Sequence, residues 1–158
     1  MLKKIKLILL GLIALVIIIG TYVVSLVRYA EVERIVLDNY TASILALPEV
    51  ESIYSIHRFT GLETYIVASV ENVGGQDVYL FVRDGLVQYY FFAADLINVS
   101  DANTIAQDLL LDGEIINTQL GFLEEVPIFE VQIRYDSATY YIVIDAQTSE
   151  VILNFPVG

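Results

Sequence analysis

The chain has no cysteine and no tryptophan, a single histidine, three prolines, and no lysine after Lys6. Each shortage closes a class of chemistry. Without cysteine there is no disulfide, no thiolate nucleophile and no Cys-ligated zinc or iron–sulfur site. With lysine confined to Lys3, Lys4 and Lys6, a Schiff-base or Ser–Lys mechanism has no amine in the rest of the chain. A Ser–His–Asp triad would depend on His57, which stands beside Arg58 in a strand-like run, and none of the serines lies in a Gly-x-Ser-x-Gly elbow. Positive charge is scarce as well. Beyond residue 30, 20 acids face four arginines (Arg34, Arg58, Arg83 and Arg134), a formal charge of 4 minus 20, or −16. Nucleic-acid binding, which runs chiefly on Lys and Arg contacts to phosphate, is disfavoured.

What the chain has in excess is apolar surface: 56% of its 158 residues are hydrophobic, against roughly 45 to 50% in ordinary soluble domains. Much of it lies between Leu7 and Val27, a run of 21 residues without a charge. As a helix that run is about 30 Å long, the thickness of a bilayer's hydrocarbon core. It exceeds a signal-peptide core, and Ser25-Leu-Val-Arg-Tyr-Ala30 offers no small-x-small cleavage pattern. A retained single-span anchor is therefore expected. Lys3, Lys4 and Lys6 precede the span and only Arg28 follows it closely, so the positive-inside rule puts residues 1–6 in the cytoplasm and the chain after Arg28 outside. Asn39-Tyr-Thr41 and Asn98-Val-Ser100 match a glycosylation acceptor by chance.

After the span, Tyr29 to Leu47 carries apolar residues at Val32, Val36, Tyr40, Ile44 and Leu47, which predicts a helix ended by Pro48. The period then changes. Ser52 to Phe59, Thr64 to Val70, Asp77 to Arg83 and Leu86 to Phe92 are β-branched and aromatic runs divided by turn residues, with Asp84-Gly85 as a hairpin signal. The same order recurs. A helix is predicted from an N-cap at Ser100 with Ile105, Ala106, Leu109 and Leu110 on one face, closed by Asp112-Gly113. Strands follow at Ile115 to Gln119, Ile128 to Tyr135, Thr139 to Asp145 and Val151 to Phe155. Tyr79-Leu-Phe-Val82 and Tyr141-Ile-Val-Ile144 repeat at an offset of 62. The reading is α+β: cytoplasmic residues 1–6, a transmembrane helix over 7–27, and two tandem helix-plus-antiparallel-sheet modules over 28–96 and 97–158. Each module is near the lower size limit for an independent core, so the two are expected to support each other.

Polar chemistry is thin. Glu124-Glu125 before Pro127 is the most concentrated acid pair, and reads as a solvated turn rather than a glycosidase pair, which would need a deep cleft. Asp108, Asp112 and Glu114 surround Gly113 without EF-hand spacing. No catalytic residue, cofactor or metal ligand is assigned. The anomaly is apolar: in Asp77–Arg83 and Leu86–Phe92 both alternating faces are hydrophobic, Val78, Leu80 and Val82 on one and Tyr79 and Phe81 on the other. A helix covers one face; the second is covered by the other module or left as a partner surface, for which Tyr79, Phe81, Tyr89 and Phe91 are the candidate residues.

Phe129-Glu-Val131 followed by Tyr140-Tyr-Ile-Val-Ile-Asp145-Ala-Gln-Thr-Ser-Glu150-Val151 resembles the closing pattern of PepSY-type modules, with Ser149 where that pattern has glycine. Gly61-Leu-Glu-Thr-Tyr65, in a meander after a membrane-proximal helix, is similar to the first module of TseB-like cell-wall elongation regulators of Gram-positive bacteria. The whole-chain order matches as well: basic N-terminus, one span, two cystatin-like or PepSY-like modules. The lysine-free outer part departs from it. The resemblance implies a non-enzymatic, membrane-anchored regulator that binds a class B penicillin-binding protein during wall elongation. The alternative it offers is an inhibitor or chaperone of an exported protease.

Overall fold

The structure, a computed structural model, describes the backbone of residues 2–157 and the side chains of residues 14–157. Lys3, Lys4 and Lys6, and residues 7–13 of the expected span, lie outside the described side chains. One helix, α1 (Leu2–Leu45), runs through both the apolar stretch and the helix expected after it. No glycine-proline break separates the two, so the hydrogen-bond ladder is continuous, and 44 residues make a rod of about 66 Å. The described part, Ala14–Leu45, is long and apolar enough to cross a membrane, with a mean hydropathy of 1.7 and no buried residue in its most apolar window. Leu15 to Val27 are exposed on every side of the helix, which suits a segment solvated by lipid rather than by protein.

By internal contacts residues 1–39 form one unit and residues 40–158 a second. In the second unit the last turns of α1 place Tyr40, Thr41 and Ile44 inward, Ile44 fully buried. The helix stops at Leu45, and a turn through Pro48 leads into β1 (Val50–Thr60). β1, β2 (Thr64–Asn72), β3 (Asp77–Arg83) and β4 (Leu86–Phe92) form an antiparallel sheet in chain order. A 3-10 turn (Ala93–Asp95) and helix α2 (Val99–Leu109) follow. The chain then builds a second antiparallel meander from β5 (Glu114–Leu123), β6 (Val126–Tyr135), β7 (Ala138–Asp145) and β8 (Val151–Val157). The α+β class and the helix-then-meander repeat are as the patterning predicts; β3 and β7, which carry the repeated quartets, are the third strands of their sheets.

Two details of α2 differ from expectation. The cap is Asn98, not Ser100: its side chain accepts the N–H of Asp101 at 3.0 Å, and the Asp101 carboxylate accepts the N–H of Asn98 at 3.3 Å. This reciprocal pair satisfies two donors at once, which a cap two residues later would leave open. The buried face is Ala102 and Ala106, with Ile105 and Leu110 at its edge, while Leu109 is exposed. Small residues let the helix approach β5 and β6 closely.

The hairpins are tight. Asp84-Gly85, Glu124-Glu125 and Asp136-Ser137 each hold two successive residues at positive φ, the geometry of a type I′ turn. Glu124-Glu125 is thus a two-residue hairpin turn, with β6 starting at Val126 and carrying the buried Pro127. The turn between β7 and β8 is held by Asp145. Asp145 Oδ1 accepts the N–H groups of Gln147 (2.7 Å) and Thr148 (2.9 Å), and Ser149 takes the left-handed conformation, φ 68°, where the pattern has glycine.

Candidate binding surfaces

One hydrophobic core runs through both sheets: Phe59, Tyr65, Val67 and Phe81 from the first join Leu120, Phe122, Phe129, Val131 and Ile142 from the second. Strand alternation explains which residues enter it. Register pairs Phe59 with Tyr65, Val67 with Phe81 and Phe81 with Tyr89, so these side chains share one face of the first sheet. That face meets Phe122 of β5, whose ring lies 4.9 Å from Phe81, 4.4 Å from Tyr89 and 5.2 Å from Tyr65, centroid to centroid. Gly121 beside it is required by the approach of β1: a Cβ there would stand 2.3 Å from the Phe59 ring.

This packing places the four candidate contact residues of the sequence on the face that meets the second sheet. Phe81 is 0% exposed, and Tyr79, Tyr89 and Phe91 are half-buried against the core. Burial, followed by the charge of Asp77, raises the Tyr79 phenol above its ordinary value. Phe81 cannot be a contact residue, because the second sheet covers its face of β3. Sequence alternation shows that both faces of β3 and β4 are apolar; it carries no signal about which face the distant Phe122 will meet.

The opposite face is buried at its centre, where Ile66, Ala68, Val70, Val78, Leu80 and Val82 are all enclosed, and opens only toward β4, at Val87 and Tyr90. Val70, Val78, Leu80, Val87, Tyr90 and Phe92 line a groove of about 510 Å³, closed at one end by Leu47, Glu49 and Val50 where the chain leaves α1. Register aligns Val70, Val78 and Phe92 across three strands and Leu80 with Tyr90. Tyr90 is 63% exposed. The groove face and the face that meets Phe122 therefore share the same strands, separated by side-chain parity.

A second concavity, of about 400 Å³, lies where the two sheets meet and is lined by Leu62, Glu63, Tyr65, Arg83, Tyr89, Phe122, Glu124 and Glu125. Glu63 is ion-paired with Arg83 and accepts the Tyr65 hydroxyl at 2.8 Å; the Arg83 guanidinium lies 5.4 Å from the Tyr65 ring centroid. Burial first, then the Glu63 carboxylate, pushes the Tyr65 phenol up to about 12, with Arg83 opposing in part. Arg83 is committed to Glu63, so the cleft presents its carboxylate rim rather than an available cation. Among the described residues, no group of three His, Asp or Glu side chains gathers as a metal cage.

No protein-family model and no curated protein matches the chain. Among solved structures, the YpmB protein from Bacillus subtilis superposes with a TM-score of 0.67 at 18% identity, over 76% of this chain and 96% of that one. A chain described as a lipoprotein, from Clostridium difficile 630, is 16% identical with a TM-score of 0.41, over 82% of this chain and 92% of that one. The class is thereby defined at the level of fold: an N-terminal apolar helix, of the kind that serves as membrane anchor or signal sequence, followed by a YpmB-like pair of antiparallel sheets.

Proposed function

We propose that the chain is a non-enzymatic, membrane-anchored docking protein of the cell envelope, held by α1 with residues 40–158 on the outer face, and that its partner is a class B penicillin-binding protein in Gram-positive wall elongation. The observation that carries this reading is the apolar groove on the first sheet, whose floor of Val70, Val78 and Leu80 is buried and whose margin presents Val87, Tyr90 and the half-buried Phe92. A groove of this kind, with an aromatic side chain standing in solvent, is a common form of protein-docking surface. The TseB-like order of basic N-terminus, span and two modules supports the partner class, and Lys3, Lys4 and Lys6 support the orientation. The contact residues are Val87, Tyr90 and Phe92, in place of Tyr79, Phe81, Tyr89 and Phe91.

The test is a photo-reactive residue at position 90 of the full chain in intact cells. A penicillin-binding protein should be recovered, and Tyr90→Ser should abolish that recovery when the photo-reactive group is moved to position 87. Recovery of no wall synthase, together with slowing of an exported protease by the purified chain, would replace this function with the inhibitor reading.

A further inference from the structure

Four strands end the two sheets, and they are not alike. β1 and β5 lie against each other, with Phe59 over Gly121 and the His57 side chain bonded to the Leu120 carbonyl. β8 is guarded. Pro156 opposes Tyr140, and a proline, having no N–H, fits only a non-hydrogen-bonded pair, so its nitrogen faces outward. A register shift opposite Val143 and Ile144 breaks the same edge at Ile152. An outward proline and a bulge are the devices that stop an edge from recruiting another strand.

β4 has less protection. Leu86 to Phe92 contains no proline and no charge. Its one irregularity, at Gln88, leaves an unbroken register from Tyr89 to Phe92, and this edge borders the groove through Tyr90 and Phe92. We infer that β4 recruits an extended segment of the partner as a fifth strand of the first sheet, with alternate apolar side chains of that segment entering the groove. This rests on the docking reading of the same groove and specifies how it is used. Backbone pairing along an edge, with pockets for every second side chain, is the general form of strand addition.

Charge selects the occupant. Glu49 lines the groove, and Asp84 and Asp95 flank β4 on either side. Residues 40–158 hold 17 acids against Arg58, Arg83 and Arg134, a formal −14. A second copy would bring −14 against −14, whereas a segment ending in Lys or Arg is attracted. The occupant is an apolar-alternating segment with basic ends, from a different protein.

The experiment uses the full chain in a neutral detergent and a labelled peptide, Lys-Val-Thr-Val-Thr-Val-Lys, followed by anisotropy and by backbone hydrogen exchange. Strand addition uses one edge of the peptide, so N-methylation of one alternate set of its nitrogens should weaken binding by about tenfold or more, while methylation of the other set is tolerated. Tyr90→Lys should weaken it similarly, and exchange should slow at residues 89–92. Equal binding of both methylated peptides would overturn strand addition. So would absence of peptide binding, or protection of β4 that arises from dimerisation without peptide. Cross-linking from position 90 to a wall synthase reads the docking function separately and would survive each of those results.

Discussion

His57 Nε2 donates a hydrogen bond to the carbonyl oxygen of Leu120, 2.8 Å away and 63 residues along the chain. It ties β1 to β5 at the line where the two sheets meet. His57→Ala leaves a half-buried carbonyl without this donor and should cost about 1 kcal/mol in urea unfolding of the full chain. His57→Gln, which keeps an N–H donor, should recover part of that loss. An unchanged midpoint for His57→Ala would show that water replaces the bond at no cost.

Gly121 lies directly against the Phe59 ring at the same seam. Gly121→Ala places a methyl group 2.3 Å from the Phe59 ring, and overpacking of this kind should lower stability by about 1–3 kcal/mol. Phe59→Leu in the same chain should offset part of the effect. A double variant that is simply additive would locate the strain elsewhere.

Phe81 and Tyr90 lie on adjacent strands and opposite faces, which separates folding from binding. Phe81→Ser removes a fully buried ring and should cost about 3–5 kcal/mol, enough to unfold much of the second unit. Tyr90→Ser should leave the tyrosine near-ultraviolet circular dichroism and thermal midpoint nearly unchanged while partner recovery falls. The reverse pattern would mean that the groove face carries the core.

Ser149 occupies the left-handed region, φ 68°, in a turn already fixed by Asp145 and Thr148. An L-residue there is disfavoured by roughly 1 kcal/mol, which glycine avoids apart from its extra entropy in the unfolded chain. Ser149→Gly should therefore raise the thermal midpoint, and Asp145→Ala should lower it. A lower midpoint for Ser149→Gly would show that the serine makes a compensating contact.

The Tyr65 phenol is held up at about 12 against an ordinary 10.0, so folding favours its protonated form. The sign follows directly: this stabilisation is complete below pH 10 and is lost as pH rises through about 12. Thermal midpoints of the full chain should fall across that window, with a smaller fall for Tyr65→Phe. Equal slopes in the two chains would place the alkaline sensitivity on other tyrosines.

Much of the fold is written locally. β3 and β4 coincide with the runs Asp77–Arg83 and Leu86–Phe92 because β-branched and aromatic residues are bounded there by Asp84-Gly85. The cap of α2 was less legible. Asn98, Ser100 and Asp101 all cap well in isolation, and the choice falls to Asn98 because its spacing to Asp101 lets each side chain bond the other's backbone. Pro127 reads as a loop residue, yet the tight Glu124-Glu125 turn draws it into β6.

The sequence by itself determined the long apolar N-terminal helix, the two helix-then-meander repeats, the acidic and lysine-free character of the chain beyond residue 30 and the two-sided hydrophobicity of β3 and β4. These depend on period, composition and neighbouring residues. Only the tertiary structure decided that Phe81, Tyr79, Tyr89 and Phe91 turn toward the core shared with the second sheet, while Tyr90 and Phe92 edge a groove on the other face. Alternation gives a strand two faces of equal apolar character, and which of them meets the second sheet is set by what packs against it, a contact made across 41 residues of chain.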